Sequence, residues 1–260
     1  MRTKEKKRNA RRKRKAEGKK PMSRKWIART RNIAISIILL SFVLIFCTES
    51  LAGLKAGTVT HSSGPLMAKK ADGTIKALTI NSVVELGDTL VTEKKTYARI
   101  KFTDNGEMVL RPNTQFRVSS YNFKQEEPRQ DRAVFNLIKG GMRSITGLIG
   151  KRGNQDSYKL ETPTAIAGVR GTTYECKICD GNCGSIPNGL YLFVLSGAIE
   201  VKNNAGAQNI TAGQYAYVES LTSAPRILPG NPGINFTLPL SSGESSTTGE
   251  RKGTDGCIVR

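Results

Sequence analysis

Histidine is almost missing from this chain, in which His61 is the only one among 260 residues. Ser-His-Asp triads and HExxH zinc sites need an imidazole with partners close by. His61 instead stands before two serines and a glycine, in a segment that resembles a turn. The chain also has no GxxxxGK(S/T) phosphate loop and no CxxCH haem-attachment motif. We therefore predict a protein that is not an enzyme and that has no cofactor.

Long apolar runs are equally scarce, and the one that stands out, IAISIILLSFVLIFC, covers residues 33–47. Basic residues precede it and a Ser-x-Ala site follows, which is the pattern of a secretory signal. Cleavage after Ala52 would leave Gly53 as the new N-terminus. Without cleavage, residues 33–52 would anchor the chain in the inner membrane with its N-terminus in the cytoplasm. Both interpretations place the rest of the chain in the periplasm or cell envelope.

Positive charge is concentrated at the N-terminus. Of the net charge of +20, residues 1–31 supply +14, from 16 Lys/Arg and 2 Glu. Such a run is typical of a solvated tail that could contact nucleic acid or anionic lipid. Met22, however, opens an n-region of ordinary composition, so residues 1–21 are also explained by the choice of start site. We do not expect a nucleic-acid partner.

Helical periodicity is absent, whereas alternation with a period of two is common. Ala98, Ile100 and Phe102 alternate with polar or charged residues, and Asp104-Asn105-Gly106 then supplies a hairpin turn. Residues 190–195 are apolar at every position, which fits a strand covered on both faces. Turn signals recur about every ten residues. We predict an all-β fold of stacked short strands, as a β-solenoid, β-roll or sandwich, after an N-terminal hydrophobic helix.

Composition divides the chain into four parts. Residues 1–31 form the basic segment and residues 32–52 the signal peptide or membrane anchor. Residues 53–221 have the length and pattern of one β domain. Residues 222–260 begin as a Pro-containing strap and continue as a Ser/Gly-rich segment with the composition of a flexible tail.

Four cysteines lie in the part that we predict to be exported: Cys176, Cys179, Cys183 and Cys257. An even number in an oxidising compartment favours disulfides, one within the cluster and one to Cys257, with connectivity left open by the sequence. The alternatives are a metal site, with Cys257 or Asp180 as the fourth ligand, and a redox-active pair. The alternative function is thus a cysteine-based metal-binding or redox protein of the periplasm.

Several short segments, in order over residues 57–219, resemble the FecR domain. ETPTAIAGVRGT at 161–172 is the most specific, because it is close to the family pattern TPxAxxGVRGT. LGDTLVT at 86–92, the DNG and LRPNT steps within 98–114, LIKGG at 137–141, VLSGAIEV at 194–201 and AGQ at 212–214 are weaker matches. The resemblance assigns motif positions to Gly87, Asp88, Asp104, Gly106, Thr162, Pro163, Gly168, Arg170, Gly171, Thr172, Gly197 and Gly213.

These positions are mostly structural in character. Glycine supplies turns that need a positive φ, and Pro163 fixes φ and extends the residue before it. Gly168 and Gly171 bracket Arg170 and allow close backbone approach and a sharp corner. We expect Arg170 to hydrogen-bond backbone carbonyls or to pair with an acid such as Asp88, with ligand binding as the alternative.

The resemblance implies a non-enzymatic, periplasmic, β-rich domain. In the founding branch such a domain relays a signal from an outer-membrane siderophore transporter to a cytoplasmic sigma factor. This chain has no helical anti-sigma segment before its apolar run, and it ends in a Ser/Gly tail. It is therefore more similar to stand-alone exported FecR-domain proteins, with an envelope protein or a cell-wall glycan as the expected partner.

Overall fold

Strands make up nearly all of the regular structure in residues 53–152 and 156–235, which are the residues that the computed structural model describes. The basic segment, the signal or anchor segment with Ala52, the end of the strap and the whole Ser/Gly tail with Cys257 lie outside these residues. Within them, no helix is long and apolar enough to cross a membrane. The all-β prediction is confirmed for this part of the chain.

Fifteen strands form one sheet. They are β1 (Lys55–Ser62), β2 (Leu66–Lys69), β3 (Ile75–Leu78), β4 (Val83–Glu85), β5 (Thr89–Thr92), β6 (Ala98–Phe102), β7 (Glu107–Leu110), β8 (Gln115–Asn122), β9 (Arg132–Ile145), β10 (Tyr158–Glu161), β11 (Ile166–Cys179), β12 (Gly189–Asn203), β13 (Gly206–Thr211), β14 (Tyr215–Val218) and β15 (Arg226–Leu228). A 3-10 turn (Pro128–Gln130) and a one-turn helix, α1 (Ile149–Arg152), are the helical segments among the described residues.

The strands form where apolar residues alternate. In β6 the side chains of Ala98, Ile100 and Phe102 are buried, as the sequence predicted. The predicted hairpin follows, with Asn105 at a φ of 67° between β6 and β7. Positive φ is readily adopted by Asn in such a turn, and the turn therefore sets the register of the two strands.

Three long strands divide the sheet into two arms. The first arm runs β4–β1–β6–β7, then through one half each of β9, β11 and β12 to β14 and β15. The second arm runs β3–β2–β5–β8, then through the other halves of the long strands, with β10 inserted between β9 and β11, to β13. Phe102 of the first arm lies 5.6 Å, centroid to centroid, from Tyr121 of the second. The arms therefore face each other across a common core.

Glycine bends the long strands where they pass from one arm to the other. Gly140, Gly171 and Gly197 have φ values of 87°, 59° and 82°. The prediction of stacked short strands is thus only partly right, because β9, β11 and β12 have 14, 14 and 15 residues. In the sequence these glycines resemble strand ends, whereas in the fold they are corners within continuous strands.

Gly197→Ala is expected to lower the free energy of unfolding by about 2–4 kcal/mol, through backbone strain and overpacking. A Cβ at Gly197 would lie 2.6 Å from the carbonyl oxygen of Gly171 and 2.9 Å from Thr172 Oγ1. Gly213 is the matched control, because it has the same φ of 82° but nothing within 4 Å of its Cβ position. Urea unfolding of both alanine variants should show the larger loss at Gly197; equal losses would contradict the steric explanation.

A second, smaller apolar cluster lies on the other face of β12. Leu190, Leu192 and Val194 face the main core, whereas Tyr191 packs with Tyr217, Cys179 and Ile234. The prediction that residues 190–195 are covered on both faces is therefore confirmed. Ile234 belongs to the strap, and β15 pairs with β14, so the sheet continues beyond the boundary at residue 221 that the sequence predicted.

Candidate functional site

The segment with the most specific sequence pattern is fixed at both ends by its threonines. Thr162 Oγ1 donates to the carbonyl of Ala165 at 2.7 Å and accepts from its N–H at 3.1 Å, which closes the turn around Pro163 between β10 and β11. At the other end Thr172 is buried, and its Oγ1 lies 2.7 Å from the carbonyl oxygen of Ala198. The strand between these two points is therefore held rigidly.

Arg170, near the C-terminal end of this segment, is not used by the fold. Its side chain is exposed, and it makes no ion pair or side-chain hydrogen bond within residues 53–152 and 156–235. The expected pairing with Asp88 is wrong, because the Asp88 carboxylate is buried and accepts from Lys70 Nζ at 2.9 Å and from the N–H of Glu85 at 2.9 Å. Burial alone would lower the pKa of Lys70. The hydrogen bonds from Lys70 to the carboxylates of Asp88 and Glu85 outweigh burial and raise that pKa.

Gly168 is also not required by the fold. Its backbone is outside the left-handed region, and the nearest atom to a Cβ built there is the carbonyl oxygen of Glu200, 3.9 Å away. Gly171, three residues on, does need its positive φ of 59°. A glycine inside a strand often marks a place where a ligand or another backbone approaches closely.

The register of three strands, β10, β11 and β12, builds a groove over Gly168. Gly168 pairs with Lys159 on one side and Glu200 on the other, while Arg170 pairs with Ala198 and Ile166 with Lys202. A cavity of about 430 Å³ lies above these residues. We call it the signature groove, and its lining used below consists of Lys159, Gly168, Arg170, Ala198, Glu200 and Lys202.

A second depression continues the groove past the β10–β11 turn. It has a volume of about 450 Å³ and shares Ile166 and Lys202 with the signature groove. Leu221, half exposed, lies on its far side. The two depressions together form a continuous surface, and the lining of the second combines exposed apolar residues with polar ones and with Glu161.

The signature groove is lined by three cations, Lys159, Arg170 and Lys202, and by two acids, Asp156 and Glu200. Lys159 is paired with Asp156 at 3.1 Å, and this hydrogen bond and the lysine charge lower the pKa of the Asp156 carboxyl. Arg170 and Lys202 have no ion-pair partner among the described residues, and Glu200 is the remaining acid in the lining. The groove can therefore attract carboxylates.

The other predicted motif residues lie away from the groove, in structural positions. Gly87 and Gly213 form turns with φ values of 88° and 82°. Asp104 is buried, and its carboxylate accepts from the N–H of Gly106 at 3.0 Å and from that of Ile149 at 3.2 Å. Sequence reasoning predicted the turn at Asp104 but not its contact with α1, since the two are 45 residues apart.

Sequence reasoning also missed a charged cluster on the outer face of the first arm. Glu175, of which 3% of the side chain is exposed, accepts from Arg111 Nη2 at 3.0 Å and lies 3.7 Å from Arg143 Nη1. Arg111 Nη1 donates to the carbonyl of Asn235 at 3.0 Å, which connects the cluster to the strap. Alternation within β11 could have placed Glu175 on this face, but nothing in the sequence identified its partners.

The cysteine cluster is divided between the two faces of the sheet. Cys179 and Cys183 form a disulfide, which fits the expected bridge within the cluster. Cys176 is a free thiol in the main core, and burial raises its pKa to about 12. Side chains alternate between the two faces along a strand, so residues an odd number of positions apart lie on opposite faces. Cys176 and Cys179 are three residues apart in β11 and therefore cannot bind the same ion. No group of three metal-ligating side chains occurs in the described residues.

Comparison with known proteins agrees with the resemblance seen in the sequence. Residues 88–203 match the family model described as FecR protein, and the predicted resemblance is confirmed. A comparison with curated proteins gave no match.

Solved structures give weaker similarity. Two crystal structures of a "putative anti-sigma factor" from Parabacteroides distasonis ATCC 8503 align at 12% identity, with TM-scores of 0.43 and 0.42. The alignments cover 55% of this chain and 60% of those chains, which is less than two thirds of their length. A "cell surface anchoring domain" aligns at 21% identity over 24% of this chain and 83% of its own, with a TM-score of 0.24.

Proposed function

We propose that this protein is a non-enzymatic, FecR-like signalling module of the cell envelope that binds a partner protein in its signature groove. The observation that carries the proposal is the position of Gly168 and Arg170. Both belong to the most specific motif of the matched segment, yet neither serves packing, a turn or an ion pair in the described part of the chain. Two motif residues that the fold does not need are available for recognition.

The way in which the groove is held supports this function. Its strands belong to a continuous sheet, and Thr162 and Thr172 tie both ends of the motif to the backbone. Binding sites on rigid elements hold their side chains more accurately than sites on loops. The groove can therefore recognise a partner without a change of fold.

A protein partner fits this surface better than a glycan. The lining of the signature groove combines charged and small apolar side chains, and no aromatic residue takes part in it among the described residues. Export rests on the apolar run at 33–47 and the Ser-x-Ala site that follows it. The signature groove belongs to the part of the chain that we expect to be exported, so nucleic acid is not the expected ligand of the groove.

The proposal can be tested in native cells with a photo-crosslinking amino acid at exposed Ala198, inside the groove, and at exposed Ile80, outside the matched segment. We expect a protein adduct from position 198 but not from position 80, in the envelope fraction. N-terminal sequencing of that fraction would show whether the chain begins at Gly53. Equal adducts at both positions, or a purely cytoplasmic protein, would overturn the proposal.

A further inference from the structure

We infer that the signature groove takes an extended acidic segment of the partner protein, with two carboxylates about four residues apart. This inference rests on the proposed function and names the chemistry of its ligand. It is carried by three observations: the bare floor at Gly168, the spacing of Arg170 and Lys202, and the position of Glu200.

The floor of the groove gives room for a main chain. Glycine inside a strand destabilises it by about 0.5–1 kcal/mol relative to alanine. Neither backbone conformation nor packing requires glycine at position 168. Its φ is outside the left-handed region, and the nearest atom to a Cβ built there is 3.9 Å away. With no side chain there, a ligand backbone can lie in van der Waals contact with β11.

Arg170 and Lys202, neither of which has an ion pair within residues 53–152 and 156–235, stand at opposite ends of this floor. Arg170 pairs with Ala198, and Lys202 lies four residues further along β12, opposite Ile166. At a rise of 3.2–3.4 Å per residue, the two positions are about 13 Å apart along the strands. An extended ligand covers this length in about four residues. Carboxylates at positions i and i+4 of the ligand therefore meet both cations.

The remaining residues restrict the ligand further. Glu200 lies beside Gly168, between the two cations, and repels an acid at the centre of the ligand. Beyond Lys202, Ile166 and Leu221 offer exposed apolar surface in the second depression. The preferred segment thus has an acid, three uncharged residues, a second acid and then an apolar residue.

The test uses the purified full-length protein in mild detergent and fluorescein-labelled peptides of the sequence SGESGSELS, with SGQSGSQLS and SGKSGSKLS as controls. We expect fluorescence anisotropy to detect binding of the glutamate peptide alone. R170Q and K202Q should each weaken its binding about tenfold, the loss of one charge-assisted contact. K76Q, which removes an exposed lysine on β3, should leave binding unchanged.

Gly168→Val separates the groove from general attraction to a basic protein. The variant changes no charge and its side chain enters open space, so we expect a stability equal to or above that of the wild type and at least about tenfold weaker peptide binding. Equal binding to wild type and G168V, or no binding of the glutamate peptide, would overturn the inference. If crosslinking at Ala198 still captures a partner in that case, the proposed function stands and the ligand has another chemistry.

Discussion

Replacing Asp104 by alanine is expected to lower the free energy of unfolding by about 3–6 kcal/mol, because each buried donor left without a partner costs about 1–3 kcal/mol. The Asp104 carboxylate is 3% exposed and accepts three hydrogen bonds. Two come from the N–H groups of Gly106 and Ile149, and the third from the Tyr121 hydroxyl at 3.1 Å. One carboxylate therefore joins β6, β8 and α1.

Urea unfolding of the purified chain measures this loss in the free energy of unfolding. Two further variants show how much of it comes from individual hydrogen bonds of the carboxylate. Tyr121→Phe keeps the ring that packs on Phe102 but removes the hydroxyl, which donates to the Asp104 carboxylate and accepts from the Asp104 N–H at 3.1 Å, so we expect a loss of about 1–3 kcal/mol. Asp104→Asn keeps one acceptor oxygen, so its loss in the free energy of unfolding should lie between those of Tyr121→Phe and Asp104→Ala. Burial and the charge of Asp104 raise the pKa of Tyr121, so the phenol remains a donor at neutral pH. A loss below that of Tyr121→Phe for Asp104→Ala would contradict the role of the carboxylate.

Glu175→Ala is expected to destabilise the first arm by about 3–5 kcal/mol, which is the usual cost of removing one partner from a buried ion pair. The change removes the carboxylate that Arg111 and Arg143 face on the outer side of β11. Glu175→Gln keeps an oxygen for Arg111 Nη2 and should cost clearly less. Glu126→Gln, in an exposed loop, is the control and should be neutral within about 0.5 kcal/mol.

The pH dependence of the same residue has a definite sign. Burial raises the pKa of Glu175, and the opposing charges of Arg111 and Arg143 reduce that shift without reversing it. The folded state therefore binds this proton more tightly than the unfolded state. Relative to Glu175→Gln, the wild type should be most stable below the unfolded pKa of about 4.5 and lose this advantage as pH rises through the folded pKa. Urea midpoints at several pH values would show the trend, and a constant difference would contradict it.

Local patterns predicted the parts of the fold that depend on local chemistry. The alternation in β6, the Asn105 turn and the double-sided burial of residues 190–195 follow from side-chain period and turn preference. The resemblance to the FecR domain rested on the order of short motifs, and the matched segment 88–203 confirms it. These features need no knowledge of distant partners.

The candidate site could be located from the sequence but not interpreted. The motif at 161–172 identified Arg170 as a candidate, with Asp88 as a possible partner. In the fold Asp88 pairs with Lys70, and Arg170 is exposed. Two glycines of the same motif also differ in their structural role. Gly171 has a positive φ that favours glycine, whereas Gly168 does not and has open space at its Cβ position. Such differences depend on pairing between β10, β11 and β12, which no local pattern specifies.

The three bent strands also have a kinetic consequence. β9, β11 and β12 each need partners in both arms, and β1 pairs with β6 across more than thirty intervening residues. Loop-closure entropy is lost before such distant pairings gain contacts, so domains of this kind fold in milliseconds to seconds rather than microseconds. Until β14 and β15 have joined, β12 presents an open edge on which other chains can pair. The continuity that joins the two arms thus sets both the folding rate and the period during which the nascent domain is prone to aggregate.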